Sequence, residues 1–175
     1  RNTAFTAWSR AVDEVAGLSH LEGKPVSVLG DGFVVANPNN SGYNSVTVSS
    51  GKATLDKPYS IIHVGLPIIA DIETLNIDSI RGQSLMDKKK HVSQVTLLVE
   101  SSRGIWAGFN EGNLIELKIR SDENYDETVD LATGIVDVKI KPEWTSTGQI
   151  LIRQTDPLPL SVLSIVPAGY IAAGG

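Results

Sequence analysis

Asp122, Asn124, Asp126, Thr128 and Asp130 set an oxygen ligand at every second position, the spacing with which a calcium loop begins to wrap a hard cation. The register then fails, because Glu127 stands where the loop needs its turn glycine and Thr133 where a bidentate glutamate would close the shell. Asp122, Asn124 and Asp126 are therefore weak metal candidates, set against the plainer reading of a solvated acidic loop. The three histidines, His20, His63 and His91, are far apart and lack the short spacings of metal ligands. His63 lies in an apolar run, where it reads as a buried imidazole bonded to a neighbour or as a packing residue at an interface. The chain has no cysteine, which removes disulfides, thiolate zinc sites and thiol nucleophiles together. No serine occupies a Gly-x-Ser-x-Gly elbow, and no phosphate-cradling glycine loop precedes a helix. Among twenty acidic residues a carboxylate pair of the kind a glycosidase uses carries little information. These residues point to no enzyme and call for no cofactor. Lys88-Lys89-Lys90 reads as a solvated turn, with contact to nucleic acid or an acidic partner as the sharper alternative. Trp8, Trp106 and Trp144 would be stacking platforms in a glycan-binding module and packing residues otherwise.

The elements that must position these residues show a period of two. Val26–Leu29 and Phe33–Ala36 flank Gly30-Asp31-Gly32, and Asp-Gly between β-branched runs is a tight-hairpin signal. Ser45–Ser49 and Lys52–Leu55 alternate polar and apolar residues around Ser50-Gly51, which predicts a second hairpin. Tyr59–Leu66 is more continuously apolar, as for a strand covered on both sides, and Pro67 ends it or starts an edge segment. Ile69–Leu75, Val95–Val99, Ile105–Ala107, Leu114–Arg120, Ile135–Ile140, Gln149–Gln154 and Leu160–Val166 follow, each bounded by turn residues. Phe5, Trp8, Val12 and Val15 carry the one helical spacing, over a short stretch that reads equally as strand and loop. About ten short strands at hairpin spacing predict an all-β fold, an antiparallel barrel or sandwich with little helix.

A length of 175 residues suits one well-packed domain or two small ones. The expected division is an N-terminal segment over 1–16, an all-β domain over 17–167 with two subdomains meeting near 76–92, and a C-terminal tail over 168–175. A net charge of −5 opposes general affinity for a phosphate backbone. The longest apolar stretch, Leu158 to Ala173, is broken by Pro159, Ser161, Ser164, Pro167 and Gly169, short of a membrane span.

Several stretches, taken in order, resemble the tail nozzle or tail-tubular proteins of short-tailed bacteriophages and related prophages. They are Gly17-Leu18-Ser19-His20-Leu21-Glu22-Gly23-Lys24-Pro25-Val26-Ser27-Val28-Leu29, His63-Val64-Gly65-Leu66-Pro67, Asp71-Ile72-Glu73-Thr74-Leu75 and Val95-Thr96-Leu97. Ser102-Arg103-Gly104, Glu116-Leu117-Lys118 and Arg153-Gln154-Thr155-Asp156-Pro157-Leu158-Pro159-Leu160 complete the series. Thr6–Arg10 looks like a piece of the larger β-rich part that precedes this region in longer members, here nearly adjacent to the Gly17 motif. The resemblance implies a structural protein of the virion, made in the host cytoplasm. Its partners would be copies of itself in a ring and neighbouring tail or adaptor proteins, with DNA passing through without specific binding. Leu18, Leu21, Val26, Val28, Val64, Leu66 and Leu97 are expected to hold the fold. His63, Pro67, Arg103, Asp156, Pro157 and Pro159 are the expected contact residues, since turns on a sheet scaffold usually carry binding. The alternative is a receptor- or glycan-binding tail module.

Overall fold

The computed structural model describes residues 10–80, 82–118 and 130–172. The chain divides between Ile68 and Ile69 into two compact units, ahead of the 76–92 stretch where composition suggested a junction. Both are built from antiparallel ladders, and among the described residues no sheet closes into a barrel.

The first unit contains β1 (Val12–Ala16), β2 (Pro25–Gly30), β3 (Phe33–Ala36), β4 (Val46–Thr47), β5 (Lys52–Tyr59) and β6 (Ile62–Gly65). Central β2 pairs with β3, β4 and β6, so Val26, Ser27 and Val28 are buried. The hairpin predicted at Gly30-Asp31-Gly32 forms, with Asp31 at φ 48° and Gly32 at φ 85°, the two positive values a primed turn requires. The second predicted hairpin forms only its turn. Ser49 and Lys52 share a single bridge, after which β4 pairs with β2 and β5 with β1. Val12 and Val15 thus lie on a strand, where β5 satisfies backbone groups that a helix would satisfy internally, while Phe5 and Trp8 fall outside the described residues. Leu21, Val26, Val28, Val35, Val48 and Leu55 form the core, with Leu18 and Val64 packed against it. Leu66, expected inside, is 54% exposed.

The second unit contains β7 (Ala70–Glu73), β8 (Ser79–Ile80), β9 (Gln83–Ser84), β10 (Lys90–Ser102), β11 (Ile105–Gly108), β12 (Ile115–Glu116), β13 (Ala132–Thr145), β14 (Leu151–Gln154) and β15 (Val162–Ile171). Two sheets dominate, ordered β13-β10-β15 and β12-β11-β14-β7, beside the small β8-β9 hairpin. Their inward residues share one core: Val95, Leu97 and Val99 from β10, Ile105 and Ala107 from β11, Val138 and Ile140 from β13, and Ile152 from β14. This is the packing of a sandwich, in which alternate residues of each strand meet the facing sheet. The alternation read at Val95, Leu97 and Val99 places all three inside. Residues 168–171, expected as tail, continue β15 alongside β10.

Candidate contact surfaces

In the first unit, carboxylates hold turns shut. The short 3-10 turn Ser19–Leu21 sends Leu21 into the core and leaves Glu22 facing the turn before β5. Both Glu22 oxygens accept backbone protons there, from Ser50 N at 2.8 Å and Gly51 N at 2.6 Å. Leu18 N donates to Gly51 O and Gly23 N to Val48 O, each at 2.9 Å, so the Gly17–Gly23 motif works as a clamp. Asp31 does the same elsewhere, accepting from Ser60 N at 3.0 Å and Ile61 N at 2.7 Å. That capture bends the run read as one covered strand from Tyr59 to Leu66 and splits it between β5 and β6. His63 is consequently exposed on β6, opposite Leu29, and is not the buried imidazole of the first reading. Pro67 is half-buried in the segment after β6.

In the second unit the remaining expected contact residues come together. The Ser102-Arg103-Gly104 turn after β10 meets the Gln154–Pro159 segment after β14. Ser102 is fully buried: its Oγ accepts from Ser161 N at 2.7 Å and donates to Glu100 O at 2.8 Å. Gln154 Nε2 donates to Arg103 O at 2.7 Å and reaches Pro159 O at 3.3 Å, while Arg103 N donates to Pro159 O at 3.2 Å. The Arg103 guanidinium donates to Asp130 O at 2.9 Å. Gly104 has φ +70°, and a Cβ there would lie 3.1 Å from Asp156 Oδ2, so two constraints favour glycine. Asp156 is 5% exposed and Pro157 half-buried, while Pro159 is exposed. Two stretches of the phage-tail resemblance therefore meet in space, and their polar groups are spent largely on the protein's own backbone.

Beside this hub, Arg153 holds Asp71 in a two-point pair, Nε to Oδ1 and Nη2 to Oδ2, both at 2.7 Å. Nη2 also reaches Glu111 Oε1 at 2.6 Å. The hydrogen bonds from Arg153 hold the Asp71 carboxyl below the usual carboxylate range, and the two acids push the guanidinium further up. Lys90, read as part of a solvated turn, is 2% exposed, and its Nζ donates to Ser146 O at 2.5 Å. Asp122, Asn124 and Asp126 lie outside the described residues. Among the described residues no group of three acids or histidines is placed to hold a metal ion. No helix there is long and apolar enough to cross a membrane.

The surface that polarity and turns did not reveal is the β13-β10-β15 sheet. Trp144, His91 and Tyr170 occupy matching positions on its three strands. The His91 ring centroid lies 5.0 Å from that of Trp144 and 6.3 Å from that of Tyr170, making an aromatic row across the sheet. Trp144 is 49% exposed and Tyr170 73%. Next to the row opens a cavity of about 290 Å³, lined by Ile77, Ile80, His91, Pro167, Tyr170 and Ile171 among others. Trp106, the other described tryptophan, is half-buried on β11 opposite Arg153. No protein-family model matches the chain, and no curated protein matches it.

Proposed function

We propose that the chain is a non-enzymatic structural component of a bacteriophage tail, a nozzle or tail-hub subunit that forms part of the conduit for DNA ejection. The observation that carries this reading is the contrast between polar groups turned inward and an open apolar sheet. Glu22, Asp31, Ser102 and Gln154 spend their hydrogen bonds on closing the chain's own turns. Leu163, Val166 and Tyr170 stand exposed on one strand. An apolar surface of that kind on a β scaffold is a site for contact between proteins. The net charge of −5 supports passage of DNA without capture, because an acidic wall repels phosphates. The order-preserving resemblance from Gly17 to Pro167 supplies the tail context.

Gold-labelled antibody against the chain, applied to particles from a lysogen that encodes it, tests the reading. Label at the tail, with rings of the purified protein under the electron microscope, supports it; particles labelled elsewhere or not at all overturn it.

A second reading, a glycan-binding tail module, is favoured by the Trp144–His91–Tyr170 row, since exposed rings stack on sugar faces. Glycan-array binding that disappears in W144A would move the assignment to it.

A further inference from the structure

The two outer strands of the β13-β10-β15 sheet are built differently. β13 carries Asp137, Lys139, Lys141 and Glu143, all exposed, and Pro142, the charges and proline with which natural sheets guard an edge. β15 carries no charged residue, and none occurs anywhere after Asp156. Eight of its ten residues are exposed, including Leu163 at 61%, Val166 at 53% and Tyr170 at 73%. Among the described residues it pairs only with β10, so its other edge is an open row of backbone donors and acceptors, interrupted at Pro167. A long, uncharged, apolar edge is one that a partner strand completes.

We propose that the partner is β15 of a second copy, paired antiparallel about a two-fold axis. Charge selects it: a strand without charges excludes partners that would bury an unmatched one, and β15 is the long described strand that has none to bury. Geometry selects it as well. An antiparallel two-fold pair sets the first half of one strand beside the second half of the other. Leu163 of one copy then faces the Tyr170 end of its mate, where the apolar cavity beside Pro167, Tyr170 and Ile171 is open to receive a side chain. Tyr170, the β15 member of the aromatic row, gives that end a large exposed ring to bury. The contact stands independently of the tail reading: a two-fold pair sets its chains in opposite directions, so it joins two chains, or two rings, and does not close a ring whose chains all point one way.

Light scattering on the purified chain tests the proposal. The wild-type protein is expected at the mass of two chains or an even multiple, V166K at half that mass or less, and I135K, the same change on exposed β13, at the wild-type mass. A wild-type monomer, a V166K protein of unchanged mass, or an I135K protein that also falls apart would each overturn it. Geometry is read with a short thiol cross-linker, which the absence of cysteine makes unambiguous. L163C chains mixed with Y170C chains are expected to link at least tenfold more than L163C chains alone. Linking of L163C to itself in preference would mean parallel pairing or a register centred on residue 163, and either overturns the arrangement proposed. If β15 is covered only when an unrelated tail protein is added, the occupant is that protein and the proposal fails.

Discussion

The Ser102 hub and the β15 edge lie next to one another along the chain, yet they solve opposite problems. At the hub, Ser102, Gln154 and Asp156 are buried. The hydrogen bonds of Ser102 and Gln154 run to the backbone of Glu100, Arg103, Pro159 and Ser161. Six residues after Asp156, β15 begins, apolar, exposed and open along one side. At the hub polar side chains finish the protein's own turns, and the contact proposed above falls on a strand that has no charges.

Substitutions can break or sharpen that contrast. The largest loss is expected for L97A, since Leu97 is fully buried and lies in register with Val136 on β13 and Ile165 on β15, beneath both edges. Urea denaturation should show about 2–5 kcal/mol less stability. S102A strips the hub of its acceptor for Ser161 N and should cost about 1–3 kcal/mol by the same measurement while the copies stay associated.

A smaller effect is expected at the ion pair. D71N should cost roughly 0.5–1 kcal/mol, a modest figure because the Asp71 side chain is 40% exposed. Its sign with pH follows from the lowered carboxyl. A pKa depressed in the folded state adds stability above the unfolded value and loses it as pH falls through the folded value. Wild type should therefore weaken more than D71N below the ordinary carboxylate range, as thermal melts at stepped acidic pH would show. Smallest for the single chain is L163K, within about 0.5 kcal/mol because the side chain is exposed. It should nonetheless remove association altogether, the reverse of S102A.

Much of the fold was legible in the letters. Asp31-Gly32 announced its hairpin, and the period-two runs at Lys52–Leu55 and Val95–Val99 placed Ala53, Leu55, Val95, Leu97 and Val99 inside. What could not be read was which strand a run would choose as neighbour. Ser45–Ser49 and Lys52–Leu55 share a turn and then separate, because pairing is decided by partners distant in sequence. The buried reading of His63 failed for a related cause: the bend at Ser60-Ile61 depends on Asp31, some thirty residues away. Lys90 looked like surface because two lysines precede it, yet it begins β10 and its stem packs beside Gly148. The β15 edge did leave a signal, the charge-free run from Pro157 onward, but weighed only against membrane length that run shows nothing of a sheet edge.

Amide hydrogen exchange measured over a hundredfold range of protein concentration tests most directly whether this chain works through its β15 edge. The account predicts that amides within Val162–Ile171 become slower to exchange as concentration rises, while those of Ala132–Thr145 on the guarded edge do not change. Exchange on β15 that is fast and independent of concentration, or protection that grows on β13 instead, would contradict it.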